Sequence, residues 1–389
     1  MPDPQDQVVT ASAEPAAIDW LEDGQLRCAP WLSLAGVAAP RRVVLADDTL
    51  TADAAYRQAC EGTALLWRGD FQNARQLLQA IARRIDRKPR KIAPSPTDAF
   101  NQQRMAQAQR ARTLGRLLIA LDADYRIALR RAPDVAAACR EAYGDGAGAM
   151  VVSLRELQGV IGAHEWRKKG VAIAALGASI HPHYGVFSPV RGEYVALVAQ
   201  QPLPAAVADD SVAFDIGTGT GVLAALLARR GIARVVATDQ DARALACARE
   251  NIDRLGLSAQ VELLAADLFP PGRAPLVVCN PPWVPARPSS PLEHAVYDPD
   301  SRMLRGFLDG LAAHLAPGGE GWLILSDLAE HLGLRSRDEL LSLIDRAGLR
   351  VLGRADVRPT HPRAADASDP LHAARAAEVT SLWRLGAAA

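Results

Sequence analysis

A glycine-rich turn between an apolar run and a helical stretch constrains the fold of this chain more than any other feature. The run VAFDI is followed by GTGTG and then by VLAALLARR, whose composition suits a buried helix. Glycine permits the backbone angles of a tight turn, and its missing side chain leaves space for a ligand. The order of strand, glycine turn and helix predicts the start of a parallel α/β unit.

Strand and helix patterns go on alternating from about residue 211 onward. The runs RVVATD, VELLAAD, LVVCN and GWLILSDL are apolar, and helical patterns fall at about 241–255, 300–315 and 336–348. The last segment predicts two strands, at about 349–359 and 378–385, that are joined by a long polar loop. We therefore predict a doubly wound, mostly parallel sheet with an antiparallel pair at its edge.

The first half of the chain has a different pattern. Between residues 51 and 143 the stretches ARQLLQAIARRI and LGRLLIALDADYRIAL space their apolar residues at three and four, and KPRKIAPSPTD links them. Glycines in YGDGAGAM indicate a boundary near residue 150. We predict a loose N-terminus at 1–17, a mainly helical substrate-recognition domain at 18–150, a connecting segment with a hairpin at 151–200 and a catalytic domain at 201–389.

Amino-acid composition indicates the cellular compartment of the protein but not the kind of molecule that it binds. Lysine plus arginine equals aspartate plus glutamate, at 44 each, so net charge favours no particular partner. Five scattered cysteines without a C-x-x-C pair indicate a reducing compartment. The start MPDPQDQVVT lacks a signal-peptide pattern, and no window has the length of a membrane span. We expect a cytoplasmic protein without a membrane segment, and the sequence leaves its oligomeric state open.

Three acidic residues stand at the carboxyl ends of the first three strands of the alternating region, where doubly wound sheets bind ligands. The G-x-G-x-G spacing and the absence of a P-loop lysine argue against a phosphate. The helix N-terminus suits a carboxylate, and Asp215 suits an ammonium group. Asp239 suits the two hydroxyls of a ribose, and Asp267 suits an adenine amino group. S-adenosylmethionine combines all these groups.

An ordinary βα turn with helix-capping acids is the alternative, and Asp241 is placed to be such a cap. The joint position of Asp239 and Asp267 at strand ends favours the cofactor instead. The predicted cofactor contacts are Asp215, Gly217, Thr218, Gly219, Gly221, Asp239, Asp267 and Asn280.

The tetrapeptide NPPW follows the fourth of these strands. A planar NH₂ group is a poor nucleophile because its lone pair is delocalised. The Asn280 side-chain oxygen and the Pro281 carbonyl are suited to accept hydrogen bonds from both of its N–H groups. They would then stabilise the positive charge that grows on the nitrogen during methyl transfer. Pro282 helps to fix the carbonyl directions, and Trp283 offers a flat face. We predict these four residues to be catalytic; the alternative is a rigid loop with Trp283 in the core.

Together these motifs resemble those of class I S-adenosylmethionine-dependent methyltransferases over residues 185–385. The resemblance implies a Rossmann-like sheet of seven strands, with the glycine loop and the two following acids holding the methionine, ribose and adenine parts. The order of glycine loop and N-P-P-aromatic is typical of amino-group methyltransferases. Downstream, EHAVYDPDSRMLRGFLDGL resembles HemK-type glutamine methyltransferases, which modify peptide-release factors, with Trp283 in place of tyrosine.

Upstream of the glycine loop, YGVFSPVRGEYVALV is closer to ribosomal-RNA guanine methyltransferases of the "small" group than to the HemK-type P-R-P-E-T-E pattern. Phe187 and Arg191 in this stretch are candidate substrate contacts, and Phe187 suits the core equally. Three functions stay open: methylation of a protein side-chain amide, methylation of an exocyclic amine in RNA or DNA, and cofactor binding without catalysis. The downstream segment and the balanced charge favour a macromolecular substrate that is a protein and not a nucleic acid. The group most favoured for methylation is the side-chain amide of a glutamine.

Two weaker patterns have simple explanations. The basic runs at 83–91 and 165–170 suit solvated helix ends, with docking to RNA or an acidic partner as the alternative. His181 and His183 lack partners at metal-ligand spacing, so we predict no metal.

Overall fold

A computed structural model describes residues 16–87, 93–146, 148–189, 192–288, 293, 295–359, 366–367 and 369–388. The chain divides into two compact units. The first comprises Met1–Lys88 and Arg110–Gly159, and the second comprises Pro89–Gln109 and Val160–Ala389. The predicted division near residue 150 therefore differs from the observed one, because a segment around residue 100 leaves the first unit and packs with the second.

A six-stranded mixed sheet forms the centre of the first unit, in the order β1-β2-β6-β5-β4-β3. Its strands are β1 (Ala17–Glu22), β2 (Gln25–Leu32), β3 (Val43–Ala46), β4 (Ala64–Trp67), β5 (Leu117–Leu121) and β6 (Met150–Ser153). The helices in this part of the chain are α1 (Ala52–Cys60), α2 (Phe71–Asp86), α3 (Pro96–Leu114), α4 (Ala136–Tyr143) and α5 (Leu154–Lys169). Helix α3 begins in the second unit and ends in the first, and α5 crosses in the opposite direction.

The prediction of a mainly helical first domain left out the six-stranded sheet at its centre. The stretch LGRLLIALDADYRIAL, predicted as a helix, contains strand β5, four of whose five residues are buried. Strands β4 and β6 have only four residues each and are fully buried. A brief, continuously apolar run has neither the alternation of an exposed strand nor enough length to show a helical period, so pattern alone misassigns it. The helix predicted at 74–85 is confirmed as α2.

The second unit contains a seven-stranded sheet in the order β11-β10-β9-β12-β13-β15-β14. An antiparallel hairpin of β7 (Val171–Ile173) and β8 (Ala178–Ile180) precedes it. The sheet strands are β9 (Val212–Ile216), β10 (Arg234–Asp239), β11 (Val261–Ala265), β12 (Ala274–Cys279), β13 (Leu315–Ser326), β14 (Leu349–Val357) and β15 (Thr380–Ala387). The first five in sheet order are parallel, and β15 is antiparallel to β13 and β14. The predicted doubly wound sheet with an antiparallel edge is confirmed.

Helices cover both faces of this sheet. The helices in this part of the chain are α6 (Glu193–Gln200), α7 (Val222–Arg229), α8 (Ala242–Arg254), α9 (Arg302–His314), α10 (Leu328–His331), α11 (Arg337–Arg346) and α12 (His372–Ala377). Successive residues of β9 point to opposite faces of the sheet. Ala213 packs in the apolar layer of α6 and α7, and Phe214 packs in the layer of α9 and α11. Among the described helices, none is both long and apolar enough to cross a membrane.

Strand order positions the site. From β9 the chain proceeds to β10 and β11 on one side, and β12 then returns to pair with the other side of β9. In an open α/β sheet, such a reversal creates a crevice beyond the carboxyl ends of the two central strands. The glycine loop follows β9 and the NPPW tetrapeptide follows β12, so both lie at this crevice.

Candidate active site

The glycine loop leaves β9 with three residues in the left-handed region. Gly217, Gly219 and Gly221 have φ values of 72°, 57° and 80°. A side chain on Gly217 would overlap Met303, and one on Gly221 would press against Ala248, whereas a Cβ on Gly219 would meet no described atom within 4 Å. The two outer glycines therefore allow close packing inside the protein, and Gly219 leaves space on the side from which a ligand can approach.

Asp215 stabilises this loop through hydrogen bonds of its buried carboxylate. Its side chain is 1% exposed. Its Oδ2 accepts hydrogen bonds from Thr218 Oγ1 at 2.7 Å and from the backbone N–H of Ala224 at 3.0 Å. The carboxylate thus joins the end of β9 to the loop and to the first turn of α7. Its predicted contact with an ammonium group stays a prediction, and so does the contact predicted for Thr218.

Burial raises the pKa of Asp215 from 3.8 to about 6, with a further contribution from the charge of Asp239. Because the pKa is higher in the folded than in the unfolded state, this group stabilises the fold fully below about pH 4 and loses that contribution as pH rises through about 6. The substitution Asp215→Asn removes the titration. We expect the free energy of unfolding of this variant, relative to the parent, to increase by up to about 3 kcal/mol between pH 4 and 7.

Urea unfolding of both proteins at pH 4.5 and pH 7 measures this difference. Asp345→Asn is the matched control, because Asp345 is an exposed carboxylate on α11. An offset between Asp215→Asn and the parent that is the same at both pH values would contradict the assignment.

Asp239 fastens the glycine loop to the neighbouring strand. Its Oδ2 accepts a hydrogen bond from the backbone N–H of Gly219 at 3.0 Å, and its Oδ1 accepts one from Asp241 N–H at 2.9 Å. Burial raises the pKa of this carboxyl. A carboxylate offers about four acceptor sites, so each oxygen keeps capacity for a hydroxyl. These contacts fit the predicted ribose site and make the same residue part of the loop's support.

Asp267 lies two residues beyond β11 and is exposed. Its Oδ2 accepts a hydrogen bond at 2.6 Å from Arg302, a residue at the start of α9 that the sequence did not single out. The side chains are 59% and 61% exposed, so the pair adds little stability. The structure thus brings Asp267 to α9, and its predicted adenine contact stays a prediction.

Asn251 on α8 is a site residue that sequence reasoning missed. It is 1% exposed. Its Nδ2 donates to the Thr220 carbonyl at 3.1 Å, and its Oδ1 accepts from the backbone N–H of His181 at 2.8 Å. One buried amide therefore ties the glycine loop to the stretch that leads to Phe187. The available signal was a polar residue on the apolar face of a helix, one turn after buried Cys247.

The stretch after β8 has structural roles for both of its histidines. His183 Nε2 bonds Glu250 at 2.7 Å, and His181 Nδ1 bonds the Arg167 carbonyl at 2.6 Å. In the described part of the chain, no three histidine, cysteine or acidic residues are grouped to hold a metal ion. Phe187 is half-buried against the apolar layer that Trp283 also contacts. Arg191 lies outside the described residues, and both predicted substrate contacts stay predictions.

Asn280 follows β12, and Trp283 determines the orientation of its amide. The indole Nε1 donates a hydrogen bond to Asn280 Oδ1 at 2.9 Å. An indole N–H is only a donor, so the amide atom that faces it must be the oxygen, and a second acceptor site on that oxygen stays free. Trp283 is half-buried and packs against both apolar layers of the sheet. The indole therefore orients Asn280, a role that the prediction of a flat binding face did not include.

The residues after NPPW connect it to the glycine loop. Asp298 is 6% exposed. It accepts backbone hydrogen bonds from Met303 at 2.9 Å and from Leu304 at 3.2 Å, which caps the start of α9. Burial raises the pKa of Asp298. The side chain of Met303 in turn lies against Gly217. The segment that resembled the HemK-type sequence thus forms one wall beside the loop.

Residues 177–336 match the family described as Methyltransferase small domain. This match includes the glycine loop, Asp239, Asp267 and the NPPW tetrapeptide. Residues 177–336 of the second unit thus form a domain of the methyltransferase type. Such domains use S-adenosylmethionine as methyl donor, and the open space at Gly219 together with the free acceptor capacity of Asp239 fits that cofactor.

Curated proteins similar to this domain include methyltransferases of two kinds. Release factor glutamine methyltransferase of Cereibacter sphaeroides is 35% identical over 149 residues, which cover 35% of this chain and 51% of that protein. Ribosomal protein L11 methyltransferase of Sorangium cellulosum is 29% identical and aligns over 43% of each protein. The chain thus spans about half the length of these relatives or less. A solved methyltransferase from Pyrococcus furiosus is 17% identical, with a TM-score of 0.40, 60% of this chain covered and 98% of that one.

Proposed function

We propose that this protein is an S-adenosylmethionine-dependent N-methyltransferase that acts on the side-chain amide of a glutamine in a protein. The observation that carries this proposal is the orientation of Asn280, whose Oδ1 is fixed by the Trp283 indole at the switch point of the sheet. Asn280 directly follows β12, the strand that pairs with β9, and the glycine loop follows β9. A substrate amide bound to the Asn280 oxygen would therefore lie beside the proposed methyl donor.

In the proposed mechanism, bound S-adenosylmethionine supplies an electrophilic methyl group. The glycine loop and Asp239 bind the cofactor. Asn280 Oδ1 and the Pro281 carbonyl accept the two N–H bonds of the substrate amide, hold its nitrogen for in-line attack and stabilise the positive charge that grows on it. The proton leaves to water afterwards, because NPPW contains no strong base. Asp267 extends the cofactor site, and Pro282 keeps the loop rigid.

Two observations favour a protein over a nucleic acid as substrate. The curated relatives include release factor glutamine methyltransferases, and several match at 35–41% identity. The basic runs are also partly neutralised within their own units: Arg84 pairs with Asp53 at 2.6 Å, and Lys168 pairs with Glu165 at 3.4 Å. Phosphate binding needs free cationic side chains, so these pairs weaken the nucleic-acid alternative. Release factors act in the cytoplasm, and the five free thiols fit a reducing compartment.

The proposal predicts where a methyl label will go. Purified enzyme with methyl-labelled cofactor, added to a cell extract, is expected to give a labelled product that survives nuclease and disappears with protease. Neutralising the basic run at Arg83, Arg84, Arg87 and Lys88, the last of which lies outside the described residues, is expected to change activity by less than about tenfold. Label lost to ribonuclease, or activity abolished by that charge removal, would support the nucleic-acid alternative instead.

A further inference from the structure

The first three quarters of α3 belong to the second unit, although they precede the matched residues 177–336 by almost seventy positions. Thr97 Oγ1 donates to the Leu332 carbonyl at 2.9 Å. Phe100 is 5% exposed, and its ring meets that of Tyr297 edge-on at 6.2 Å. The apolar cluster around Phe100 consists of Val284, Leu328, Leu332, Leu371 and Ala374, with Trp283 packed against it. This part of α3 is therefore built into the methyltransferase unit.

Arg104 on the same helix holds the segment that follows NPPW at several points. Its guanidinium donates to the carbonyl of Arg287, pairs with Glu293 Oε2 at 3.0 Å and lies 4.0 Å from the centre of the Tyr297 ring. The Arg104 side chain is 19% exposed. A planar guanidinium can bond a carbonyl, pair with a carboxylate and stack on a ring at once, which an ammonium group cannot do.

Tyr297 is joined in turn to the residue after the tetrapeptide. Val284 and Tyr297 form a β-bridge. The Val284 N–H donates to the Val296 carbonyl at 3.1 Å, and the Asp298 N–H donates to the Val284 carbonyl at 2.9 Å. Val284 follows Trp283, whose indole orients Asn280. Contacts therefore run without a break from Arg104 through Tyr297 and Val284 to the amide oxygen of the proposed active site.

We propose that Arg104 is a positioning residue of this methyltransferase. It fixes both described ends of the segment between residues 284 and 298 and, through them, the orientation of Trp283 and Asn280. Cofactor binding depends little on this support, because every predicted cofactor contact except Asn280 lies at or just beyond the carboxyl ends of β9, β10 and β11. Loss of Arg104 consequently impairs use of the acceptor substrate and leaves cofactor affinity intact. This inference rests on the proposed function for its kinetic part only.

Amide hydrogen exchange tests the structural part without any substrate. In the full chain, Arg104→Ala is expected to speed exchange at the N–H groups of Val284 and Asp298 by about tenfold or more, since their bonds open more often. Exchange at Gly219, whose N–H bonds Asp239, is expected to stay unchanged. Arg110→Ala is the matched control, because Arg110 lies on the same helix and pairs with Asp86 at 3.0 Å in the first unit.

Kinetics with a purified bacterial release factor as the probe test the functional part. Arg104→Ala is expected to lower kcat/KM for the release factor by about tenfold, with the Kd of S-adenosylmethionine changed less than twofold, and Arg104→Lys to restore only part of the loss. If Arg104→Ala does not fold, Tyr297→Leu removes the ring on which the Arg104 guanidinium stacks and leaves its other two contacts in place. Parental exchange at Val284 and Asp298 in either folded variant would overturn the proposal. Faster exchange with no methylation of the release factor by the parent would instead reject the proposed substrate and leave the positioning role standing.

Discussion

Replacing Asn280 with alanine is expected to lower kcat by about 100-fold or more, by analogy with the loss of one preorganised hydrogen-bonding group in other active sites. The Asn280 oxygen accepts an N–H bond whose strength grows as the substrate nitrogen becomes positive, so its removal acts mainly on the transition state. The Kd of S-adenosylmethionine is expected to change by much less than kcat. Methyl transfer to a purified release factor and calorimetry with the cofactor measure the two quantities separately.

Two further variants distinguish the contribution of the Asn280 oxygen from the contribution of its orientation by Trp283. Asn280→Asp keeps an acceptor at this position and is expected to retain part of the activity. Trp283→Phe keeps an aromatic ring but removes the indole N–H that faces Asn280 Oδ1, so its kcat is expected to lie between those of the parent and Asn280→Ala. If Asn280→Ala turns over at the parental rate, the proposed mechanism is wrong.

The strand-end residues were predictable because topology alone places them. Parallel strands end at one edge of a sheet, so alternating strand and helix patterns bring the residues after them to a common crevice. Glycine spacing then indicated where the backbone turns, and Asp239 and Asn280 followed from their positions at the end of β10 and directly after β12. None of this requires knowledge of which side chains touch.

Contacts between distant parts of the chain were not predictable in this way. Arg104 and Tyr297 lie almost two hundred positions apart, and nothing in either local pattern pairs them. The same holds for Arg302 with Asp267 and for Asn251 with the Thr220 carbonyl. Each pair depends on how helices pack onto the sheet. Periodicity gives the face that a helix buries but not the partner that it meets.

The first unit shows a different limit. Its strands β3, β4 and β6 have four residues each, and longer helices adjoin them. Over so few residues, the two-residue period of a strand cannot be told apart from the 3.6-residue period of a helix. The clear amphipathic pattern of α2 then led to a helical prediction for the whole region. The role of this unit in substrate recognition therefore stays a prediction.

Replacing Asp239 with alanine is expected to weaken S-adenosylmethionine binding by about 100-fold or more. The carboxylate is placed to accept two hydroxyl hydrogen bonds, and such charge-assisted bonds contribute roughly 1.5 kcal/mol or more each. The loss also frees the Gly219 N–H that Oδ2 now accepts, so the glycine loop loses part of its support. Asp239→Asn keeps one acceptor oxygen but turns an NH₂ group toward a backbone N–H, and its affinity is expected to fall between the two.

Calorimetric titration with S-adenosylmethionine measures these affinities, and Asp345→Ala on α11 controls for the loss of an exposed carboxylate. Amide exchange at Gly219 in the cofactor-free proteins shows how much of the effect comes from the loop, because a loop effect appears without ligand and a ribose effect does not. Unchanged affinity in Asp239→Ala would mean that the ribose binds elsewhere. Tight binding of NAD by the parent would overturn the cofactor itself, since the same strand-end carboxylate accepts the ribose hydroxyls of dinucleotides.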